Sequence, residues 1–535
     1  MSIIDTVVIL LYFVIVAMIS IWSSKKKQDD TRSYFLANRE APWFAVGAAL
    51  FASNISGEHF VGLAGSGAAS GVAVGQFEWL ACFILLIMGW LFVPFYLRTG
   101  VFTMPEFLEK RYTRGCGNYL SIVSLLAYIF TKISVCVYAG SIVLNALLGI
   151  DIWVGAILLI VATGIYTIIG GLRAVIYTEL FQAFILIGGA IILTAISIFK
   201  VGGFHSFFHT LPPSFFSVWK PMNHPDFPWT GILFGAPILG VWYWCTDQMI
   251  VQRTLAAKDI GHAQRGTIFA GFLKILPVFI LVMPGIAGRM LFPDTKPDEI
   301  YAKMVNTLLP TGVKGIVVAA LLAAIMSSLA SVFNSSSTLA VVDFYKHYRK
   351  GASEKELVVA GKIATAMLVI IGILWLPFIG IISNQLFVYL QSVQAYISPP
   401  IAAVFLAGIL WKRANGKGAI TTLMVGFLLG ASRFILELLV KSGRLTSKLF
   451  VYYANINFLH FAAILFLISI VVLVIISALT EKPSPEKLEI FEIKGGEEGY
   501  AFAGSRKTNI ALSILLAAVV LALWIIFSPL NFKQI

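Results

Sequence analysis

Several ionisable and amide side chains stand inside runs that are otherwise apolar. Glu78 lies in Gln76-Phe77-Glu78-Trp79, and Lys274 in Gly271-Phe272-Leu273-Lys274-Ile275-Leu276. Lys132 and Asp247 have similar surroundings. A charge at the centre of a bilayer costs about 2.5–3.5 kcal/mol on insertion scales, so such groups are paired, wet or working. A structural pair between helices, or snorkelling to an interface, would also account for them. A second cluster is Ala52-Ser53-Asn54-Ile55-Ser56-Gly57-Glu58-His59-Phe60, where polar residues crowd the middle of one run. Such an interruption frees backbone carbonyls and is tolerable only beside a cavity or buried in protein. Trp242-Tyr243-Trp244-Cys245-Thr246-Asp247-Gln248 breaks a later run in the same way. Ala324, Ser327, Ser328 and Ser331 are spaced to share one helix face. Small hydroxyls and freed carbonyls, that of Ala324 included, could give a hard cation its oxygen ligands without a full carboxylate. They could equally be small residues that let helices pack. Gln391 and Gln394 carry donors and acceptors without charge. Gln, Glu, Asn and His beside Tyr and Trp suit a neutral polyhydroxy ligand. Polar edges would bond its hydroxyls and aromatic faces would cover its C–H surface. Interhelical hydrogen bonding, worth about 0.6 kcal/mol each, is the other reading of the two glutamines.

The elements that must position these residues follow from composition. Of 535 residues, 59 % are hydrophobic and only 12 % charged, about half the charge of a soluble domain. A soluble enzyme, a disordered chain and a disulfide-stapled secreted domain are excluded. The chain reads as an all-α integral membrane protein. Apolar runs long enough to cross, at ~20 residues each, fall near 4–22, 42–67, 71–97, 117–147, 152–170, 175–199, 230–252, 266–288, 314–343, 358–378, 386–410, 418–440, 456–479 and 508–530. That makes about fourteen helices.

The net charge of +13 would suggest nucleic acid in a soluble protein. Here it marks one membrane face. The run Lys25, Lys26, Lys27 and Arg32 follows the first span, and alternate loops repeat the pattern, with roughly 25 Lys and Arg on that side against roughly 10 on the other. The asymmetry predicts both termini outside and no cleaved leader at the first span. The two interrupted spans are five apart, so residues 42–199 and 230–410 can be two five-helix repeats. An odd number of helices per repeat forces inverted topology, and breaks at matching positions point to a transporter's site. Residues 1–41 form an extra helix and basic loop, 411–535 an accessory region. The Pro-rich segment 200–229 (external) and the acidic segment 481–507 (internal) read as solvated connectors. Gly62, Gly65, Gly67 and Gly71 could let helices approach. Four cysteines without CxxC spacing support neither a zinc site nor a disulfide framework. There is no P-loop, GxSxG or HExxH. No enzyme is expected, and an ion gradient is the natural energy source.

Taken in order, these stretches resemble the sodium:solute symporters, and within them the sodium/glucose cotransporter branch. The resemblance runs from about Tyr34 to Arg413. It rests on Ser53-Asn54-Ile55, Glu58-His59-Phe60-Val61-Gly62, Phe77-Glu78-Trp79, Gly170-Gly171-Leu172-Arg173-Ala174-Val175, Trp242 to Gln248, Val251-Gln252-Arg253, Ser327-Ser328-Leu329 and Tyr389-Leu390-Gln391-Ser392. The resemblance implies the leucine-transporter fold, with the first helix of each repeat discontinuous, and sodium-driven alternating access. By position it implies a sodium site from the carbonyls of Ala52, Ile55 and Ala324 and the hydroxyls of Ser327 and Ser328. A sugar site would take Asn54, His59, Glu78, Tyr243, Trp244, Lys274, Gln391 and Gln394. Tyr243 would be the inner gate, and Leu63, Phe77 and Phe387 the outer cover. Glu179 stands where many members have Asp on the inner sodium path. Ala330 stands where members with a second sodium site have Thr, which favours one sodium per cycle. Gln394 stands where some glucose carriers have Thr, which opens the hexose preference to question.

The expected function is a cell-membrane symporter importing a neutral monosaccharide, glucose or galactose first, with Na+ as coupling ion. The lipid bilayer is its surroundings, and no nucleic acid or obligate protein partner is expected. The alternatives are myo-inositol, another polyol or a sugar acid as substrate, or a non-accumulating sugar sensor or sodium channel.

Overall fold

The computed structural model describes residues 2–24, 30–375, 386–492 and 505–531. Lys25, Lys26 and Lys27 of the basic run, the end of the tenth predicted span and residues 493–504 of the acidic segment fall outside these residues. The described chain is helical, without a strand. Eleven of its helical stretches are long and apolar enough to cross a membrane, and the protein is an integral membrane protein.

That number reflects how the expected spans divide. Trp43–Asn54 stops short because Ile55 turns extended (φ −73°, ψ 112°), and the helix resumes as Glu58–Leu63 and Ala64–Ser70. The later break falls at Asp247 (φ −74°, ψ 127°), between Val241–Thr246 and Gln248–Leu255. Trp43–Asn54 is too short to count as a crossing, its resumed half is counted together with the next span as Glu58–Thr99, and neither half of the later broken helix counts. Conversely, the 49-residue helix Ile152–Lys200 is bent at Gly171 (φ 53°, ψ −160°). There a Cβ would lie 2.9 Å from the Tyr34 carbonyl, so glycine is needed for both conformation and space. The bend falls between the expected spans 152–170 and 175–199.

Val313–Thr338 is buried almost throughout. It packs against Ile152–Lys200, the first helix and Trp43–Asn54. The first helix, Ile3–Ser24, is tied to it by Asp5, whose carboxylate accepts the N–H groups of Gly312 (2.7 Å) and Gly315 (2.9 Å). The glycines after the first break do let neighbours close in. A Cβ on Gly62 would stand 2.9 Å from that of Phe387, and one on Gly67 2.7 Å from the Val282 carbonyl.

Segment 200–229 corrects an expectation. It forms the helix Gly203–Thr210 and a 3-10 turn at Pro213–Phe216, and it is folded onto the protein rather than solvated. Phe207, Phe216, Val218 and Phe227 are buried, and Gln76 donates to the Val218 carbonyl (3.4 Å). Burial of its aromatic residues favours the folded segment, and its prolines lose little entropy on ordering. In the acidic segment Pro485–Glu492 is helical, and Lys487 donates to the Glu109 carbonyl (2.7 Å).

Candidate functional site

The first break turns two sets of atoms in different directions. Because Ile55 leaves the helix, carbonyls near it lose their i+4 partners and need others. Ser327 donates to the Ala52 carbonyl (2.6 Å) and lies 3.1 Å from that of Ala324. Ser328 lies 3.1 Å from the Ser53 carbonyl and 3.3 Å from that of Ile55. The five atoms expected to hold a sodium ion are therefore gathered across two helices. All are uncharged oxygens, the donor set a hard monovalent cation accepts.

Next to this cluster lies Glu179, fully buried with Arg253 at 2.8 Å. Its Oε1 also accepts from Ser53 (2.7 Å) and from Ser331. Arg253 donates further to Ser53 (3.0 Å), Ser331 (2.6 Å) and the Met249 carbonyl (2.8 Å). The other oxygen of Glu179, Oε2, is buried with no hydrogen-bond partner among the described residues, an acceptor left open beside the ion cluster. Sequence reasoning counted Arg253 among the basic residues of an inside loop and in a matching stretch, whereas the structure buries it in Gln248–Leu255. Its place six residues past the polar break at Asp247 was the signal.

Side chains around the same break face a small polar cavity, with about 60 Å³ of free space. All eight residues expected to hold sugar line it: Asn54, His59, Glu78, Tyr243, Trp244, Lys274, Gln391 and Gln394. Lys274 donates to Glu78 and, at 2.5 Å, to Oδ1 of Asn54. Asn54 in turn donates through Nδ2 to the Tyr243 hydroxyl (3.0 Å). The N–H of Ser56 donates to His59 Nδ1 (3.3 Å), which leaves Nε2 as the donor facing Glu78 at 3.5 Å. The Lys274 ammonium sits 5.6 Å from the centre of the Trp244 ring. Gln391 and Gln394 make no side-chain hydrogen bond among the described residues, so both amides are available to a ligand.

Of the expected outer cover, Phe77 and Phe387 line the cavity and meet edge to face at 5.8 Å. Leu63 is buried but is not part of the cavity wall. Sequence reasoning left two wall residues without a role. Glu58 and Lys132 pair at 3.4 Å, and Lys132 lies 4.8 Å from the centre of the Tyr243 ring. Asp247 has a structural task as well. It caps the resumed helix through the Met249 N–H (2.8 Å) and accepts from the Tyr128 hydroxyl (2.7 Å). The cavity wall thus carries two carboxylates and two ammoniums, balanced in charge and rich in hydrogen-bonding groups, with aromatic faces on two sides. Such a wall suits a neutral polyol.

Comparison with known proteins places the whole chain among characterised relatives. Residues 34–426 match the model of the sodium:solute symporter family. Sodium/glucose cotransporter 1 of Oryctolagus cuniculus is 43 % identical, over 94 % of this chain and 85 % of its own length. Sodium/myo-inositol cotransporter 2 of Homo sapiens is 41 % identical, over 90 % of this chain and 77 % of its own. Among solved structures, a Na+-coupled sialic acid symporter superposes with a TM-score of 0.77 at 23 % identity, covering 90 % of this chain and 99 % of that one. A nucleobase-cation-symport-1 family transporter gives 0.58 at 12 % identity, covering 88 % and 99 %. Both likenesses concern the fold.

Proposed function

The chain belongs to the sodium:solute symporter family, and from that premise we propose that it imports a monosaccharide, glucose or galactose first, driven by sodium. The observation that carries this reading is the double use of one broken helix. Main-chain oxygens of Ala52 and Ile55 join the ion cluster, while the Asn54 and His59 side chains line the cavity. Whatever orders the break for one ligand changes its affinity for the other, which is the thermodynamic content of coupling.

Sodium binds between the carbonyls of Ala52, Ile55 and Ala324 and the hydroxyls of Ser327 and Ser328. It holds the two helices in the arrangement open to the outside. Sugar bonds to Asn54, His59, Glu78, Lys274 and Gln391, and Phe77 and Phe387 close over it. Tyr243 then moves to release it inward. Glu179 receives the departing ion, and one sodium is used per cycle. The architecture is fourteen spans with both termini outside, built on inverted repeats at 42–199 and 230–410. Each ligand moves the conformational equilibrium only by its differential affinity for the two states.

The second reading is myo-inositol. Gln394, free at the cavity wall, and the likeness to a sodium/myo-inositol cotransporter favour it. Uptake of labelled glucose, galactose and myo-inositol into proteoliposomes, with and without an inward sodium gradient, tests both. Sodium-dependent accumulation of a hexose is expected. Accumulation of myo-inositol alone would move the substrate. A sugar-evoked current without accumulation would replace symport by sensing.

A further inference from the structure

The polar side chains of the cavity form a closed circuit. His59 faces Glu78, Glu78 binds Lys274, Lys274 binds Asn54, and Asn54 binds the Tyr243 hydroxyl. Lys132 covers the Tyr243 ring and pairs with Glu58, whose carboxylate stands 3.8 Å from His59. The Tyr243 ring is thus held at two points, its hydroxyl by Asn54 and its face by Lys132.

Behind Lys132 lies a second, smaller cavity of about 20 Å³, room for a water molecule, lined among others by Ser124, Tyr128, Thr131, Trp242 and Asp247. Lys132 and Gln394 are the two residues that line both cavities. Gln394 makes no side-chain hydrogen bond among the described residues, whereas Lys132 is pinned by Glu58.

We propose that the Glu58–Lys132 pair is the partition between the two cavities, a positioning device that keeps Tyr243 in place until bound sugar loosens it. This rests on the sugar-symport reading. The second cavity is then the space that joins the first when the pair parts.

The physical argument is one of restraints acting together. A sugar that takes over the hydrogen bonds of Lys274 and Asn54 weakens the hold on the Tyr243 hydroxyl. The ring stays until Lys132 leaves its face. A buried ammonium cannot leave one carboxylate without finding another. Asp247, on the wall of the second cavity, is the carboxylate to which it can turn. The flexible stem of lysine permits that swing. Passage opens as Lys132 exchanges Glu58 for Asp247.

The test uses the full chain in proteoliposomes. Glu58→Gln with Lys132→Met removes both charges, so neither is left buried alone. Sodium-driven sugar accumulation should fall about fivefold and sodium-independent sugar flux should rise by a similar factor, with a smaller change in half-saturating sugar. Lys132→Arg should restore wild-type coupling. The second readout needs no sugar transport. Ser124→Cys lies on the second cavity only. A small impermeant thiol reagent, added in sodium buffer from the sugar-loading side, should modify it about fivefold faster once the pair is gone. Glu58→Gln alone should shift both readouts in the same direction, which keeps the test alive if the double variant fails to fold. Unchanged labelling overturns the partition, as does a rise in half-saturating sugar with accumulation intact. A wild type that moves no sugar would instead sink the functional reading, and the labelling would still decide the partition.

Discussion

Ser328 reaches two main-chain carbonyls across the first break, so its hydroxyl ties the helices together and, in the proposed site, is also a sodium ligand. Ser328→Ala should raise the sodium concentration for half-maximal uptake about tenfold or more, equal to some 1.4 kcal/mol of lost ion binding. Sodium titration of sugar uptake checks this, and full retention would remove Ser328 from the site. Gln391 is a different case. Its amide bonds no described protein group, so truncation leaves nothing unpaired and costs only what it gave the ligand. Gln391→Ala should weaken sugar about tenfold, near the ~1–1.5 kcal/mol of one good hydrogen bond, and leave the sugar-free sodium leak unchanged. Both residues were legible in the sequence, because a polar atom in an apolar run needs a reason. Arg253 was less so. Its partners Glu179, Ser53 and Ser331 come from three other parts of the chain.

At the scale of elements, two features carry consequences. Gly285 packs so tightly on the helix Ala64–Ser70 that a Cβ would stand 2.0 Å from the Ala64 carbonyl. A backbone oxygen cannot rotate away, so Gly285→Ala should cost about 1–3 kcal/mol as overpacking. A lowered thermal midpoint of the purified protein would register it. The segment 200–229 holds the second feature. Burial pushes the Lys220 ammonium down to about 8 from an ordinary 10.5, and its donor is satisfied by the Ser214 carbonyl. Below pH 8 the lysine is charged in folded and unfolded chains alike. Between about 8 and 10.5 the folded protein sheds the proton that the unfolded chain keeps, so stability rises with pH across that window. Lys220→Met should abolish this rise, read as thermal midpoint against pH. The segment's composition suggested a solvated loop because Pro marks turns. Its pairing with distant parts of the fold, such as Val218 with Phe527, has no local signal.

In the proposed cycle the whole molecule couples its two sites through the helix that serves both. A ligand that binds the folded state alone stabilises it by RT ln(1 + [L]/Kd). Sodium at a hundred times its dissociation constant should add about 2.7 kcal/mol, raising the thermal midpoint over that in choline buffer. The Ser328→Ala protein should lose most of that gain. Equal midpoints in sodium and choline for the wild type would mean that the folded protein binds no sodium, and an undiminished gain in the Ser328→Ala protein would place the ion elsewhere.

Sequence by itself determined the medium, the helical class and the two broken helices, because bilayer burial penalises every polar atom and so makes each exception visible. It also singled out the cavity residues, since amides, carboxylates and aromatic rings at those depths have few other uses. Tertiary structure decided who meets whom. Lys132 and Asp247 looked alike along the chain, as lone charges in apolar runs. Packing made one the cover of a tyrosine ring paired with Glu58, and the other a helix cap bound to Tyr128. A charge shows in sequence that it must be compensated. Its partner is fixed only when helices far apart in the chain are brought side by side.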